Sequence, residues 1–454
     1  MIKYELVNNR IPDKDIIKIV DNYITDMSAQ YSKEELYLKG KNTSILSSKI
    51  KDNDLNIPNW RIPVAYGRKI VKTVTGYMYA PGLITYQDAP DKLTEIFKNN
   101  EEPIENQSLG TYQGANGKTY ELQYIGDDGE YNFAMVKASE GIAIYDYSIK
   151  PKMQAFIRFY MKQKAWIYHV YYSDKIFKFE RKVDMVENKA IAKDNTIALL
   201  EEEENIFNEI PIIEIDNNGN EVSDISIVID LIDAYDMLVT DGANEISRFA
   251  WAYLLLFGMK IEADKLEQIK KQRVMQNLPD EARVEFLTRD IPSEFIETLA
   301  ARVKKEIHLQ SFIPDIDEVT FTSGASGVAI SKFIYLMEFI AAEKEAFFKS
   351  ALYKRLKLMN VIYPEIDPDT IKIEFQRNKP ESDAIGAEIY QKLDGRGISR
   401  ETLITKYTSI EDAEEEMKKY DKEQEKNKTA SFEDVEETDD TNEEEEDQEN
   451  EQNI

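Results

Sequence analysis

The stretch from Ile212 to Leu238, IIEIDNNGNEVSDISIVIDLIDAYDML, contains the change of pattern that decides the fold class. Its first residues read as a short strand, and the polar run Asp216–Asn220 predicts a turn. From Asp224 the apolar residues recur at helical spacing, which predicts a helix that continues to about Phe257. Strand-like segments precede this stretch and helices follow it, so the sequence indicates an α+β protein.

The chain before this stretch is rich in aromatic and β-branched residues between Gly82 and Pro211. Gly, Asp and Asn separate several of the segments, as is typical of a mainly antiparallel sheet. Two helices are expected ahead of them, one over Ile11–Leu38 with Asp13 as its cap and one over Arg68–Tyr79. The predicted strands are Thr119–Tyr124, Tyr131–Lys137, Ile142–Tyr147, Ala155–Met161, Ala165–Tyr172 and Lys175–Val183.

The chain after this stretch is predicted to be mostly helical. A helix capped by Ser293 runs to about Ser311, and a longer one runs from Val328 to about Met359 with apolar residues along one side. Further predicted elements are a strand at Ile371–Phe375, which pairs with an earlier segment, and two or three helices within Asp383–Lys422.

The chain is acidic, with a formal net charge of −29 over 454 residues. The tail from Ser431 to Ile454 holds 13 acidic residues and no Lys or Arg, and no fixed structure is expected there. The rest of the chain still carries a charge of about −16. This balance argues against a protein that grips nucleic acid by neutralising phosphates, which requires basic patches. It is compatible with an acidic wall past which DNA slides.

Length and residue usage limit the class of protein further. The length suggests two to four structural units. Cysteine is absent, so a disulfide framework and a thiolate metal site are impossible, which suits a reducing cytoplasm. The first residues do not resemble a signal peptide, and no stretch of about 18 apolar residues predicts a membrane span.

Residues that commonly carry catalysis are few. Of the two histidines, His169 lies in an aromatic segment and is read as structural, and His308 is read as part of a solvated helix face. No nucleophile elbow, Walker motif or His-Glu-x-x-His motif occurs. The run Glu201–Glu204 is expected to be a solvated loop, and Asp216–Asn220 is expected to be a hairpin turn rather than a calcium loop. We therefore expect no enzyme activity, no cofactor and no metal.

The segment Thr320–Gly327, TFTSGASG, lies between two predicted helices. Two glycines and small hydroxyl residues let the backbone approach another group closely or bend repeatedly. One interpretation is a connector that caps the next helix, which composition alone favours. The other is a mobile loop that touches a ligand.

An ordered set of segments resembles the portal proteins of tailed bacteriophages, in the siphophage-type group. Each segment is weak alone, but their order and spacing together are specific, and they cover about Tyr31 to Thr402. The segments are YLKGKN at Tyr37–Asn42, PVAYGRKIVKTVTGY at Pro63–Tyr77, NEIPIIE at Asn208–Glu214 followed by Asn217-Asn218, LIDAYD at Leu231–Asp236, SGVAI at Ser326–Ile330, FQRNKP at Phe375–Pro380 and GISRET at Gly397–Thr402.

The resemblance implies a portal fold, with a β-rich wing, long stem helices, a small clip and a helical C-terminal crown, assembled as a ring. It gives the following expected boundaries: wing 1–223, first stem helix 224–257, clip 258–292, second stem helix 293–312, tunnel loop 313–327, long helix and return strand of the wing 328–380, crown 381–425 and acidic tail 426–454.

The resemblance also implies two sets of site residues. A tunnel loop would project toward DNA in the channel, where small hydroxyl groups would make contacts too weak to stop the duplex; its residues are Thr320, Thr322, Ser323, Gly324, Ala325, Ser326 and Gly327. The clip would dock partner proteins through a surface of mixed charge; its basic residues are Lys265, Lys270, Lys271, Arg273, Arg283 and Arg289. With this role implied, the mobile-loop interpretation of Thr320–Gly327 becomes the favoured one.

The implied assembly is a homo-dodecamer at one capsid vertex, through which double-stranded DNA is packaged and ejected. Its expected partners are the terminase large subunit, the head-completion adaptor, the major capsid protein and the scaffolding protein. Its expected location is the virion, with the host cytoplasm during assembly. Two alternatives stay open: an acidic interaction protein that forms no ring, such as a phage scaffold or adaptor, and a hydrolase that uses paired carboxylates.

Overall fold

The computed structural model describes residues 1–47, 59–186, 189–192, 196–249, 253–257, 283–287, 293–315, 327–378, 390–407 and 413–422. The chain divides into two compact units. The first consists of Met1–Ala325 and Ile330–Asn378, and the second of Ser326–Ala329 and Lys379–Ile454. The described part of the first unit contains both helices and sheets, so the fold is of the α+β class that the sequence indicates.

The helices of the first unit lie at both ends of its sequence, with a strand-rich region between them. The N-terminal half has α1 Asp13–Tyr23, α2 Ala29–Leu38, α3 Thr43–Ser47, α4 Tyr66–Met78, α5 Asp91–Asn99 and α6 Glu102–Asn116. A π-helical turn, Ile24–Ser28, joins α1 to α2. The C-terminal half has α7 Ile229–Phe249, α8 Ser293–Gln310 and the long helix α9 Gly327–Ile362.

Fourteen strands are present among the described residues, and they form four sheets. The strands are β1 Ile2–Lys3, β2 Ile84–Gln87, β3 Lys118–Ile125, β4 Tyr131–Lys137, β5 Gly141–Tyr145, β6 Met153–Lys162, β7 Ala165–Tyr171, β8 Lys175–Val186, β9 Lys189–Ala192, β10 Ala198–Glu204, β11 Ile212–Asp216, β12 Tyr253–Phe257, β13 Arg283–Leu287 and β14 Lys372–Phe375. The largest sheet has the order β1-β5-β6-β7-β8-β10, with β9 paired to β8. The smaller sheets are β11-β3-β4, β12-β13 and β14-β2.

The central strands of the largest sheet are buried on both faces, since their side chains alternate between two different cores. Ile142, Ile144 and Ile157 point to the side where α1 packs, together with Val20 and Tyr23 of that helix. The intervening residues point to the β11-β3-β4 sheet, where Phe156 stacks against Tyr120 at 4.9 Å between ring centroids; the members of this second core include Ala143, Tyr145, Phe156, Tyr171, Leu122 and Val136. Alternation with period two therefore joins a helix, a sheet and a second sheet into three layers.

The long helix α9 supplies one side of the main core. Its buried apolar residues recur every three or four positions, as expected for one face of a helix; they include Met337, Ala341, Phe348, Leu352, Leu356 and Met359. Phe348 packs on Tyr79 at 4.5 Å between ring centroids. Each fully buried Leu or Phe in this row stabilises the fold by about 1.5–3 kcal/mol relative to exposure.

Helix α6 ends at Gly117, the one position in this turn that requires glycine. Its φ angle is 78°, and a Cβ there would lie 2.2 Å from the carbonyl oxygen of Glu221. The Gly117 carbonyl accepts a hydrogen bond from the Asn217 amide at 2.9 Å. This close approach ties the start of β3 to the chain that leads into α7.

Three elements differ from the sequence-based expectation. Helices α5 and α6 lie in the region that was expected to be mainly sheet, because the buried side of α6 is largely polar and gives no apolar stripe; it includes Glu102, Asn106, Gln113 and Asn116. The stem helix expected to reach Phe257 ends, as described, at Phe249, and Tyr253–Phe257 is a strand paired with Arg283–Leu287. A short apolar run of aromatic residues and leucines is compatible with either a helix or a strand. Here the run forms a strand because it pairs with Arg283–Leu287.

Smaller corrections concern caps, turns and loops. Asp13 is the first residue of α1 rather than its cap, and Pro12 precedes it without a side-chain cap. The Asp216–Asn220 turn joins a strand to a helix, so it is not a hairpin turn. Glu201–Glu204 belong to the edge strand β10, not to a loop, although all four side chains are exposed as expected.

The second unit is helical where the structure describes it. Arg400–Tyr407 form α10, and residues 413–422 form another helix. Arg400 pairs with Asp394 at 3.0 Å just ahead of α10. Helices in this part of the chain agree with the sequence-based expectation for Asp383–Lys422.

Candidate functional site

The residues predicted to contact DNA and partner proteins mostly fall outside the described part of the chain. Of the tunnel-loop set, Thr320 and Thr322 to Ser326 are outside it, and Gly327 is the first residue of α9. Of the clip set, Lys265, Lys270, Lys271, Arg273 and Arg289 are outside it, and Arg283 begins β13. Those two sets remain predictions, and the site that the structure does define is the frame around them.

This frame is a helical hairpin made by α7 and α8. The strand pair β12-β13 follows α7 and precedes α8, and its antiparallel register joins Tyr253 to Leu287 and Phe257 to Arg283. Near the other end, the ring of Tyr66 lies edge-on to Tyr235 of α7 at 5.2 Å and to His308 of α8 at 5.7 Å. Tyr66 therefore contacts both helices of the hairpin.

An extended segment, Trp60–Val64, runs along α7 and is held by a row of its polar side chains, here called the polar ladder: Asp236, Thr240 and Asn244. The Val64 amide donates to Asp236 at 3.0 Å, the Ile62 amide to Thr240 Oγ1 at 3.1 Å and the Trp60 amide to Asn244 Oδ1 at 2.7 Å. All three ladder residues are buried, and their spacing of four places them on one side of the helix.

The spacing of the ladder follows from backbone geometry. Four helical residues advance about 6.0 Å and two extended residues advance about 6.6 Å, so alternate amides meet every fourth side chain. Burial raises the pKa of Asp236, and hydrogen bonds from Asn42 and from the Val64 amide oppose that rise. Asp233, one turn before Asp236, accepts hydrogen bonds from Tyr37 and, at 2.6 Å, from Ser44. These contacts attach α7 to the N-terminal helices.

A second cluster, the loop junction, lies where α8 ends and the chain leads toward the predicted tunnel loop; it consists of Lys304, His308, Ile313 and Asp315. Lys304 pairs with Asp315 at 3.0 Å. His308 Nδ1 lies 3.1 Å from the Ile313 carbonyl, which only accepts, so that nitrogen carries the proton. His308 Nε2 lies 3.6 Å from Asp315 Oδ1, and burial lowers the pKa of the imidazole. His308 is thus buried, and its assignment to a solvated face was wrong.

Three cations on and after α9 anchor this helix to the body. Arg355 is fully buried, donates to Glu121 Oε1 at 2.8 Å and to Asn106 at 2.8 Å, and lies 3.3 Å from Glu102. Its guanidinium also lies over the ring of Phe133 at 4.5 Å.

The other two cations hold the first half of α9. Lys344 pairs with Asp224 at 2.8 Å, and Arg377, after β14, pairs with Glu338 of α9 at 3.1 Å. Lys344 and Asp224 are both largely buried, so their pair is costly to break, whereas Glu338 is 40% exposed and its pair with Arg377 contributes less. The α9 helix is therefore tied to α6, β3, the start of α7 and the chain after β14.

The described residues contain no arrangement typical of a catalytic centre. No group of three or more His, Asp and Glu side chains within them is placed to hold a metal ion. His169 stacks between Tyr160 and Tyr171, and burial lowers its pKa to about 4, in keeping with a structural residue. None of the helices described is both long and apolar enough to cross a membrane.

Sequence reasoning missed the polar ladder and the loop junction. The ladder does have a signal, because Asp233, Asp236, Thr240 and Asn244 recur at spacings of three and four on a helix whose other side is apolar. The loop junction has none, because its contacts depend on a left-handed residue, Phe312 with a φ of 56°, that turns the chain back toward α8.

Comparison with known proteins gives consistent results. The sequence matches the family described as "Phage portal protein, SPP1 Gp6-like" over residues 18–430. A portal protein of Clostridium phage phiCD119 is 22% identical over 420 residues, which are 87% of this chain and 90% of that protein. A portal protein of Bacillus phage SPP1 is 23% identical over 331 residues, which are 68% of this chain and 64% of that protein.

Solved structures also show a likeness. A chain from the neck of a native GTA particle, solved with C12 symmetry, aligns with a TM-score of 0.46 and 11% identity. The alignment covers 75% of this chain and 88% of that one.

Proposed function

This chain belongs to the SPP1 Gp6-like family of phage portal proteins, and from that premise we propose that it forms a twelve-subunit ring at one vertex of the capsid. The ring is the channel for DNA packaging and ejection. Portal proteins are structural components of the phage head, and the role proposed here is mechanical. The observation that carries the proposal is the family match over most of the chain, joined to a helical hairpin that ends in a strand pair.

In this proposal α7 and α8 are the stem, and the segment between them is the clip. The strand pair β12-β13 begins the clip at Tyr253, five residues earlier than a stem helix reaching Phe257 would allow. The sheets, α1–α6 and most of α9 form the wing, residues 381–425 form the crown and residues 426–454 form an acidic tail. The clip docks the terminase large subunit during packaging and the head-completion adaptor afterwards.

Charge supports a channel through which DNA moves rather than a site that holds it. The chain carries a net charge of −29. A surface that neutralised many phosphates would bind the duplex strongly, because counterions would be released. Residues 320–327 meet DNA through small hydroxyl groups instead, so no single contact stops translocation.

The assembly is tested by the mass of the purified full-length chain. Twelve copies of the 52.6 kDa chain give about 630 kDa, and negative-stain images would show a central hole. A chain that stays monomeric even when capsid and scaffolding proteins are present would refute the ring and return the protein to the non-ring alternative. Removing Ser431–Ile454 should leave the ring intact, since an acidic low-complexity tail has no apolar surface to bury.

The tunnel-loop role is tested by deleting Thr322–Ser326. We expect rings of normal mass that protect much less DNA from nuclease in a packaging reaction. Replacing the same five residues by a different Gly/Ser sequence of equal length is the control, and should package normally if flexibility and reach are what matter. Normal DNA packaging by the deletion variant would refute the tunnel-loop role of these residues.

The docking role of the clip is tested by reversing Lys270, Lys271 and Arg273 to Glu. We expect weaker binding of terminase and adaptor, measured by co-sedimentation with the purified ring. The matched control reverses three exposed lysines of the wing, Lys150, Lys162 and Lys164, and should bind as the unaltered ring does. Equal binding by both variants would move the docking surface elsewhere.

A further inference from the structure

The exposed side of each hairpin helix includes a row of residues with the 3-4-3-4 spacing of a coiled-coil seam, here called a stripe. The stripe on and just before α7, here the acidic stripe, consists of Ile227, Asp230, Ala234, Met237 and Asp241, all exposed. It lies on the side of α7 opposite Ile232, which is buried. Ile227 and Met237 are 52% and 57% exposed, an unusual cost for residues that have no further partner.

The stripe on α8, here the basic stripe, consists of Phe295, Thr298, Arg302, Lys305 and Leu309, and all five are exposed. It lies on the side of α8 opposite Ile307, which is buried. Phe295 and Leu309 are 67% and 55% exposed. Apolar side chains such as these would not stabilise a water-filled channel wall, whereas burying them in a contact between proteins is favourable.

The two stripes carry opposite charge. Asp230 and Asp241 are the ionisable residues of one, and Arg302 and Lys305 are those of the other. Within the described chain these four side chains make no ion pair with one another or with other residues. Among the described residues, therefore, no ion-pair partner is found for the charges of either stripe, and the apolar side chains named above are exposed.

Two pairs of residues, one member from each stripe, match in height along the hairpin. Tyr66 contacts both Tyr235 and His308, which places these two residues near one level, and the two helices run in opposite directions from there. Asp241 lies six residues beyond Tyr235 and Arg302 lies six residues before His308, which is about 9 Å along each helix. By the same count Ala234 and Leu309 are level, one residue on the other side. Asp241 is therefore level with Arg302, and the small side chain of Ala234 is level with the larger one of Leu309.

We propose that the acidic stripe of one copy packs against the basic stripe of the next copy around the ring. The inference rests on the proposed ring, because rotation about one axis leaves every copy at the same height and so brings level residues together. The contact is heterologous, with a different face from each partner, which is the type of interface that closes into a ring. Asp241 meets Arg302 and Lys305, and Leu309 covers Ala234.

The test uses two charge-reversed full-length chains. One is D230K/D241K and the other is R302E/K305E, and each places like charges across every contact, which opposes assembly. We expect each variant alone to fold, by circular dichroism, but to lose about ten-fold or more of its ring fraction. When the two variants are mixed, every contact between different variants again pairs opposite charges. Rings should then form in which the two chains alternate. A single chain with all four changes should also form rings.

Native mass spectrometry with one variant mass-tagged reads the composition of the mixed rings. Alternation predicts six copies of each variant in a twelve-membered ring, whereas free mixing predicts a broad distribution. The control chain is D127K/D128K, which reverses two exposed aspartates in the turn between β3 and β4 and should assemble alone.

The outcomes separate this inference from the ring itself. If the unaltered chain forms rings and both reversed variants do so alone, the stripe contact is wrong and the ring stands. If the variants form rings that package DNA poorly, the stripes face the channel and the inference is overturned. If the unaltered chain forms no ring with capsid and scaffolding proteins present, the proposed function itself fails.

Discussion

Replacing Arg355 by methionine should destabilise the chain more than any change on its surface. The substitution keeps much of the side-chain volume but leaves Glu121, which is buried, and Glu102, also buried, without their cation. Leaving a buried charge unpaired costs about 3–5 kcal/mol. The compact unit that contains Arg355 has about 370 residues, and unfolding entropy is about 2.1 cal/mol/K per residue, so Tm should fall by about 4–6 °C.

The matched control is Lys357→Met, two residues further along the same helix. Lys357 pairs with Glu209 at 2.7 Å, but these side chains are 63% and 54% exposed, so its loss should cost at most about 0.5 kcal/mol. Thermal and denaturant unfolding of the full chain, followed by circular dichroism in one assembly state, measure both variants. Changing Glu102 and Glu121 to Gln as well should restore about half of the stability lost in R355M, because the unpaired charges are removed. A loss in R355M within about 1 kcal/mol of the control would refute the buried network.

Three further predictions follow from other parts of the body. Gly110→Ala should lower Tm, because a Cβ at this position would lie 2.1 Å from the ring of Tyr79. Gly76→Ala lies in a helix with open space around it and should raise the free energy of unfolding by up to about 1 kcal/mol. The opposite order of Tm values in thermal melts would contradict the packing. Thr240→Val should cost about 1–3 kcal/mol, because the buried hydroxyl that accepts from the Ile62 amide is lost, whereas Thr240→Ser should be nearly neutral; equal stabilities would mean that water replaces the contact. The pKa of His169 is lowered to about 4 in the folded chain, so the imidazole of the unfolded chain binds its proton first as pH falls below about 6.5. The stability of the unaltered chain relative to H169Q should therefore fall by up to about 3 kcal/mol between pH 6.5 and 4, and should not change with pH above 6.5. Parallel stability-pH profiles of the two chains would show that the imidazole is not buried in its neutral form.

The strands were predictable because their pattern is local. Tyr131–Lys137 matches β4 at both ends, and Lys175–Val183 and Ala155–Met161 match β8 and β6 within a few residues. Aromatic and β-branched residues alternating between turn residues leave little choice but a sheet. The return strand β14 also paired with an earlier segment, as expected, although its partner β2 could not be named from the sequence.

Helices whose buried side is polar were not predictable in the same way. The inner side of α6 presents Asn106 and Gln113, which are satisfied by Arg355 and by Tyr79 and the Asp216 carbonyl. No apolar stripe marks such a helix, because its partners are hydrogen-bonding groups that come from distant parts of the chain.

The frame of the candidate site depends on contacts of the same long-range kind. His308 is buried by Tyr66 and by a chain reversal at Phe312, and neither is visible in the residues around it. The stripes on α7 and α8 are different, since their spacing and charge are written in consecutive turns, and only their height relative to each other required the structure.

The polar ladder joins two backbones whose repeats differ in length. Each step along α7 advances about 6.0 Å and each step along the extended segment about 6.6 Å, so the mismatch grows by about 0.6 Å per rung. Across the two steps between three rungs the mismatch reaches about 1.2 Å, and a fourth rung would raise it to about 1.8 Å. A slip of the segment by one rung would leave an amide opposite no acceptor. The ladder therefore sets one height of α7 against the body, and its length is limited by the ratio of helix to strand rise.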